Sequence, residues 1–331
     1  MCLLVRISCF LEFFCISSSL RAVALVMSFE YVLDRMEVST EPFALCELRG
    51  ECDLGLGRRP SATLHYILAG QGEIVLPDSQ RISVKKGALV LVPAMHSHTL
   101  RSFGDGGDLF PACSPAKLNL AEHFLEAKEM DGNSQLVALC THVTVGLDGT
   151  GDLIDLVREP IVERIGDKSE IQLSLRIIIS EISNPGLGSN AMIRALLLQC
   201  MIEILRKRLS AQDRALVWMG ALEDQKIWKA LRLMLDAPGD SHSVESLAEA
   251  VGMSRSTFAK HFSDAYGSGP MELLRNLRVQ RAAKMLEETD VPVKRIAEVV
   301  GFRSRSAFSR MFEGLTGLAP QNFRQKSRSE N

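Results

Sequence analysis

The sequence predicts an α+β protein in three parts: an antiparallel β-barrel at the amino end, a helical linker, and an all-α pair of helix-turn-helix units at the carboxyl end. Three observations carry that expectation. Short β-rich runs recur about every ten residues between Phe43 and Val145. After Gly151 the apolar residues change to a helical period. One segment, "VGMSRSTFAKHF" at 251–262, returns as "VGFRSRSAFSRMF" at 300–312.

The length of 331 residues suits two domains joined by a connector. With 46% hydrophobic and 24% charged residues, the composition excludes an intrinsically disordered chain. A formal charge of −2 hides an asymmetry: Ser241 to Arg328 holds 14 Lys/Arg against 9 Asp/Glu, so the rest is acidic. A basic end on an acidic body fits a nucleic-acid partner. Eight cysteines are scattered without a CxxC pair, which reads as free thiols in a reducing cytosol rather than a disulfide framework or zinc ribbon. Residues 1–26 resemble a signal peptide, with Arg6 ahead of an apolar run. Glu12 interrupts that run and Arg21 follows it, so no uncharged span is long enough to cross a bilayer. The expectation is an upstream extension of the reading frame over 1–26, with the working protein starting at Met27.

The barrel is assigned to residues 27–150. Its strands are the runs "TLHYILAG", "GEIVLP", "RISVKKG", "ALVLVP" and "LVALCTHVTV", divided by Gly, Pro and Asp turns. The Gly/Asp/Pro-rich stretch from Arg101 to Pro115 reads as a mobile loop. The linker is assigned to 151–222, with helices over 169–183 and 190–210 broken by "NPGLGS". The second helix ends in Arg206, Lys207 and Arg208, where cations suit the helix dipole. Its apolar face from Ile193 through Leu197 and Met201 to Ile204 reads either as core or as the interface of a homodimer.

The last part is assigned to 223–331. Each copy of the repeat has the same local logic. A short helix turns Leu or Ile and Ala inward, a glycine ends it, and a serine caps the next helix by accepting backbone N–H bonds. The copies are offset by 49 residues up to the glycine and by 50 from the serine onward, a one-residue insertion in the second turn. Phe258 and Phe262, and likewise Phe308 and Phe312, lie four apart on one face and anchor the second helix. The opposite face carries Arg255, Ser256, Ala259 and Lys260 in the first copy, and Arg305, Ser306, Ser309 and Arg310 in the second. These hydroxyls and cations stand near a helix amino terminus, the end that enters a major groove. Between the copies, "PMELLRNLRVQRAAKMLEETD" reads as one helix with Leu274, Leu277, Ala282 and Leu286 inward. About 18 helical residues span roughly 27 Å. Successive major grooves on one face of B-DNA lie roughly 34 Å apart, so one rigid helix can hold two reading heads at about that spacing.

The segment Asp240–Arg324 resembles the DNA-binding domain of the AraC/XylS family of bacterial transcription regulators. The matching pieces are "SVESLAEAVGMSRSTFAKHF", "GSGPMELLRNLRVQRAAKML" and "VKRIAEVVGFRSRSAFSRMFEGLTGLAPQNFR". Phe323 stands where the family often has Tyr in its terminal Pro-x-x-Tyr-Arg, a change that keeps the packing. The resemblance implies base contacts from Arg255, Ser256, Ala259, Lys260, Arg305, Ser306, Ser309 and Arg310. With its smaller side chains, the first copy is expected to read less than the second.

In the barrel, Gly87-x5-Pro93-x4-His98 resembles the second motif of cupin barrels, and "LHYILAGQGEI" resembles the strand after the first. The first motif's His-x-His and Glu are missing, since Arg59 to Thr63 supplies none. Alternation puts His65 inward and places His96 and His98 on a shared face, so His65, His96 and His98 are the candidate ligand-binding residues. Three readings stay open: a metal-dependent enzyme, which needs about three protein ligands, a structural barrel with solvated histidines, and a ligand-sensing or metal-modulated pocket. In cupin-type AraC regulators the segment corresponding to 168–210 helps dimerise and relay the ligand state.

The expected function is therefore a cytoplasmic, non-enzymatic transcription regulator, with a cupin-like sensor, that needs no cofactor and binds no membrane. Its expected partners are double-stranded promoter DNA, a small-molecule effector, RNA polymerase and a second copy through the 190–210 helix. The contrasting class is a metal-dependent cupin enzyme fused to a DNA-binding module. Activation and repression both stay open.

Overall fold

The computed structural model describes residues 33–77, 79–103, 110–116, 135–147, 152–166, 168–210, 214–219, 221 and 224–329. The extension expected over 1–26 and the start at Met27 lie outside the described residues.

Among the described residues, ten strands build the amino-terminal part: β1 Met36–Thr40, β2 Ala44–Arg49, β3 Cys52–Leu56, β4 Ala62–Val75, β5 Arg81–Lys85, β6 Ala88–Val92, β7 His98–Ser102, β8 Phe110–Pro115, β9 Gln135–Leu147 and β10 Ile161–Arg164. All described pairings are antiparallel. One layer runs β10-β6-β4-β9-β2-β8 with β1 beside β9, and β3, β5 and β7 form the facing layer. Strand β4 belongs to both. Its residues Ala62–Gly70 pair with β9 and Gln71–Val75 pair with β5, with a register shift between Ile67 and Ala69. Two runs that the sequence divides, "TLHYILAG" and "GEIVLP", are thus one strand bent through a barrel corner.

Alternation along β4 sorts its side chains. His65 and Ile67 turn to the interior, whose buried lining includes Leu48, Ile74, Val90, Leu100 and Leu136. Leu64 and Tyr66 turn outward onto the linker helices, where the Tyr66 hydroxyl donates to Gln172 Oε1 at 2.7 Å.

Two local expectations change. Of the supposed loop 101–115, Phe110–Pro115 is an edge strand whose backbone is paired with β2, a place that tolerates its two prolines. Residues 104–109 lie outside the described residues. After Gly151 the first elements are a 3-10 turn, Leu153–Leu156, and strand β10, which pairs with β6. The turn is held by Asp152, whose Oδ1 accepts from Ile154 N at 3.1 Å and Val145 N at 2.7 Å.

Helices α1, Glu170–Ser183, and α2, Ser189–Ser210, pack on the outer face of the barrel. The face of α2 that reads from sequence as core or dimer interface is core: Ile193, Leu197, Met201 and Ile204 are buried within this one chain. The large apolar side chains the hairpin leaves exposed are others, Leu173, Ile177, Leu187 and Met192. Lys207 and Arg208 both reach Glu163 on β10, so the end of α2 is tied to the barrel.

The remaining helices are α3 Gln225–Asp236, α4 Val244–Ala250, α5 Arg255–Tyr266, α6 Pro270–Glu288, α7 Val293–Val299, α8 Arg305–Thr316 and α9 Pro320–Ser329. They share two cores. Phe258, Phe262 and the first half of α6 (Leu273, Leu274, Leu277) join the core that runs on into α1, α2 and the outer face of the barrel. Phe308, Phe312 and Phe323 gather with the second half of α6 (Ala282, Ala283, Leu286) in a separate cluster. Helix α6 is therefore the beam on which both units hang.

Candidate nucleic-acid interface and barrel histidines

Both repeat copies fold as the local chemistry requires. Ser254 Oγ accepts from Thr257 N and Ser304 Oγ from Ala307 N, each at 3.2 Å, capping α5 and α8. The four phenylalanines are fully buried, with ring centroids 5.7 Å apart in Phe258–Phe262 and 5.5 Å in Phe308–Phe312. Anchoring that face turns the other outward. Arg255, Ser256, Lys260, Arg305, Ser306 and Arg310 are exposed, while Ala259 and Ser309 are half-buried beside them. The two faces differ in charge. Arg255 is paired with Glu245 of α4 at 2.8 Å, whereas Arg305 and Arg310 have no ion pair among the described residues. An exposed pair such as Arg255–Glu245 contributes little to stability, yet it must loosen before the guanidinium can serve another anion.

The relative placement of the two units is held from one side chain. Arg278 of α6 donates from Nε to Pro238 O and from Nη2 to Asp240 O, both at 2.7 Å, and its guanidinium lies 6.0 Å from the Phe302 ring centroid. The loop before the first unit is thereby fastened against the turn of the second. The 19 residues of α6 span about 28 Å.

In the barrel, His65 and His98 meet as expected, their Nε2 atoms 2.7 Å apart in the buried interior. The carbonyl His96 O, 3.3 Å from His98 Nδ1, only accepts, so His98 carries its proton on Nδ1. His98 Nε2 therefore accepts from His65 Nε2–H, and His65 Nδ1, 2.9 Å from Cys140 Sγ, accepts from the thiol. Both rings are neutral and every ring nitrogen is used. His96 does not join them. It lies before β7 in a turn where Met95 has φ +65, so strand alternation does not reach it. Its Nδ1 donates to Ala94 O at 3.0 Å, and the residue lines a separate cavity at the barrel rim.

Burial holds His65 well below the ordinary imidazole range and brings His98 down to about 4. The unfolded chain takes up these protons near 6.5, the folded barrel only near 4 for His98. The stability contributed by the neutral pair is therefore complete above about 6.5 and lost as the pH falls toward 4. Thermal unfolding at pH 5 is expected several degrees below that at pH 7.5, by about 5 °C, with the interval narrowed in His98→Gln. A midpoint that does not move over this range would contradict the assignment.

Sequence reasoning missed two further groupings. Cys46 and Cys113 face each other across β2 and β8 with their sulfurs 3.0 Å apart. The bond to Cys46 and burial push the Cys113 thiol far up. For Cys46 the bond to Cys113 pulls down, but the contact with Cys140 and burial prevail and the thiol also rises. Both stay protonated at neutral pH, so neither is a ready nucleophile. The second grouping joins barrel to helices. Arg59 pairs with Glu287 of α6, Arg58 donates to Leu315 O at the end of α8, and Arg158 lies 5.9 Å from the Tyr266 ring centroid. "GRRP" at 57–60 is the only local sign, a basic pair within a strand-rich region.

A β-barrel carrying a helical hairpin and a rigidly joined pair of helix-turn-helix units defines a two-module architecture with one plainly basic, solvent-facing module. Comparison with known proteins assigns both modules. A model described as a helix-turn-helix domain matches residues 247–326, and one described as cupin matches 28–210. The chain is similar to a protein named as an AraC-like transcription regulator from Streptomyces antibioticus, with 33% identity over 156 residues, 47% of this chain and 52% of the relative. It thus spans about half the length of that relative. It is 22% identical over 302 residues to the HTH-type transcriptional regulator AlkR of Acinetobacter baylyi, covering 89% of this chain and 98% of the relative. The RCS-specific HTH-type transcriptional activator RclR of Escherichia coli shares 39% over 103 residues, 31% of this chain and 36% of its own. The chain belongs to the cupin family through residues 28–210 and joins to that domain a helix-turn-helix domain of AraC type over 247–326.

Proposed function

We propose that the protein is a sequence-specific DNA-binding transcription regulator. In this reading α5 and α8 enter successive segments of the major groove, and the barrel with its hairpin modulates how they engage. The observation that carries the proposal is the pair of capped, basic helices joined by a single connector helix about 28 Å long and pinned through Arg278, against the roughly 34 Å of one turn of DNA. Arg255, Ser256, Ala259 and Lys260 form the first reading face, and Arg305, Ser306, Ser309 and Arg310 the second. Bound beside a promoter in the cytosol, such a protein acts by aiding or blocking RNA polymerase.

A small effector that enters the barrel meets His65 and His98 by opening their mutual bond, and so disturbs the wall on which α1 and α2 rest. Two copies associate through the exposed apolar residues Leu173, Ile177 and Met192 of the hairpin, and a monomer in sedimentation equilibrium at micromolar concentration would exclude that contact. Footprinting on promoter DNA tests the main reading. Two protected major-groove segments about one turn apart are expected, and inserting about half a turn between them should abolish one. Uniform protection without a preferred sequence would refute specific recognition.

A further inference from the structure

The reading helices α5 and α8 expose their amino-terminal side chains, and the barrel takes hold of their other ends. Arg58, in the loop before β4, donates from Nη1 to Leu315 O in the last turn of α8. Carbonyls of a last turn lack an intrahelical donor and sit at the negative end of the helix dipole, so a guanidinium suits that place on both counts. Arg158, in the loop before β10, lies 5.9 Å from the ring centroid of Tyr266, the last residue of α5. The Tyr266 ring is buried, with its centroid 5.7 Å from that of Phe262, so this contact reaches the core of the first unit. With the offset of 50 residues between the copies, Leu315 and Thr316 stand where Ala265 and Tyr266 stand. Two barrel arginines thus meet equivalent places in the two units.

The same barrel segments bracket the connector. Arg158 Nη2 lies 3.5 Å from Glu272 Oε1 in the first turn of α6, and Arg59 pairs with Glu287 in its last turn. The Arg59–Glu287 pair is mostly buried, its side chains 14% and 12% exposed, so the loss of one partner strands the other away from water. Arg58, Arg158, Tyr266 and Leu315 line one cavity of about 650 Å³. Both grips therefore belong to one wedge of the barrel, set between the two helix ends. None of the reading side chains lines that cavity, and Arg255, Ser256, Lys260, Arg305, Ser306 and Arg310 all stay exposed. Docking of the barrel leaves both reading faces free.

We infer that Arg58 and Arg158 are positioning residues for DNA recognition: by holding the carboxyl ends of α5 and α8 they keep the separation at which both helices meet DNA. This names the route by which the barrel acts on the reading heads, and it rests on the regulator reading. Arg278 fastens the two units at the loop before the first and the turn of the second. The barrel arginines fasten them at a further pair of points, the ends of the reading helices. Two separated attachments resist a rotation that one alone permits. Restricting that rotation beforehand leaves less freedom to lose on DNA, which raises affinity for a two-segment site without adding a contact to it. In this arrangement neither arginine needs to touch DNA; each acts through the helix it holds.

The test compares the full chain with its Arg58→Ala/Arg158→Ala double variant on duplexes that the full chain selects from a random pool. Binding to a two-segment duplex should weaken about tenfold in the variant, which is about 1.4 kcal/mol. Binding to a duplex with one segment scrambled should not change. Inserting one base pair between the segments should cost the variant less than the unaltered chain, a readout that a loss of stability alone does not move. Arg58→Lys with Arg158→Lys, which keeps a donor for Leu315 O and a cation beside Tyr266, should recover most of the affinity. If the alanine double variant fails to fold, each single variant is measured instead, with a loss of about threefold expected. Equal losses on both duplexes, unchanged or tighter two-segment binding, an unaltered spacing penalty or no recovery with lysine would overturn the inference. Hydrogen exchange without DNA judges the grip by itself: amides in the last turns of α5 and α8 should exchange faster in the variant, and unaltered rates would also overturn it. A full chain that enriches no sequence removes the regulator reading, whereas faster exchange leaves the grip standing.

Discussion

Arg305→Ala combined with Arg310→Ala should weaken promoter binding by a few hundredfold, about 3–4 kcal/mol in total. Each cation at a base edge or phosphate is worth about 1–3 kcal/mol, and both project from the first half of α8. Both are exposed and carry no ion pair among the described residues, so their loss leaves the fold intact and removes only what they offer a ligand. The dependence of log Kd on log salt should also flatten, by about one unit for each arginine that neutralises a phosphate. Arg255→Ala with Lys260→Ala should cost less, about tenfold, because Arg255 already spends part of its charge on Glu245 and must break that pair to bind. Gel-shift titrations at two salt concentrations, with circular dichroism confirming the fold, check all of this. Equal affinity for wild type and the Arg305/Arg310 double variant would remove α8 as a reading helix.

Gly301→Ala and Gly252→Ala form the second contrast. The two glycines hold equivalent turns at φ +83 and +64, and a side chain at either is strained. That strain alone costs about 1–2 kcal/mol, which is the whole loss expected for Gly252→Ala, since a Cβ there meets nothing within 4 Å. At Gly301 the added methyl lies 2.5 Å from Gly239 O and 2.9 Å from Arg278 Nη2. A Cβ built on Gly239 would itself lie 2.1 Å from Val299 O, so the two backbones already run in close contact at this joint. The loss there should reach about 3–4 kcal/mol, and the Arg278 bonds that set the two heads against each other should be displaced. Urea unfolding of both variants measures the difference. Equal destabilisation would mean that the second turn is not the tightly packed joint between the units. Gly301→Ala should also weaken binding to a two-segment DNA site more than to either segment alone, because its damage is to spacing.

The repeat was readable because everything that makes it is local. A glycine, a capping serine and two phenylalanines four apart specify a turn, a helix start and an anchored face within twelve residues, and the exposed side chains follow by exclusion. The connector helix was equally plain, with Leu274, Leu277, Ala282 and Leu286 all buried where its period puts them. The barrel was readable in part. Strands with clear alternation stood out, but β8 carries two prolines and β10 follows a 3-10 turn, so neither has a local pattern strong enough to distinguish it from loop or helix. Alternation puts His96 on a shared face with His98 only when it is extended beyond the strand that justifies it, which begins at His98. On α2 the period correctly marked an apolar face, but period alone does not say whether the covering surface belongs to the same chain.

Local propensity, capping and hydrophobic period thus suffice for the elements of the reading heads and for their basic outer faces. Contacts between distant residues are another matter. Arg59 and Glu287 are 228 positions apart, Arg278 reaches back 40 residues to Pro238, and Asp155 and Gln280 line one cavity only because the barrel docks on α6. The neutral, fully bonded state of His65 and His98 likewise depends on three strands converging, since Cys140 and the His96 carbonyl supply the partners. Pairings of this kind arise when separate cores pack and exclude water. No periodicity along the chain encodes them, and it is in that packing that the cleft between barrel and connector comes into being.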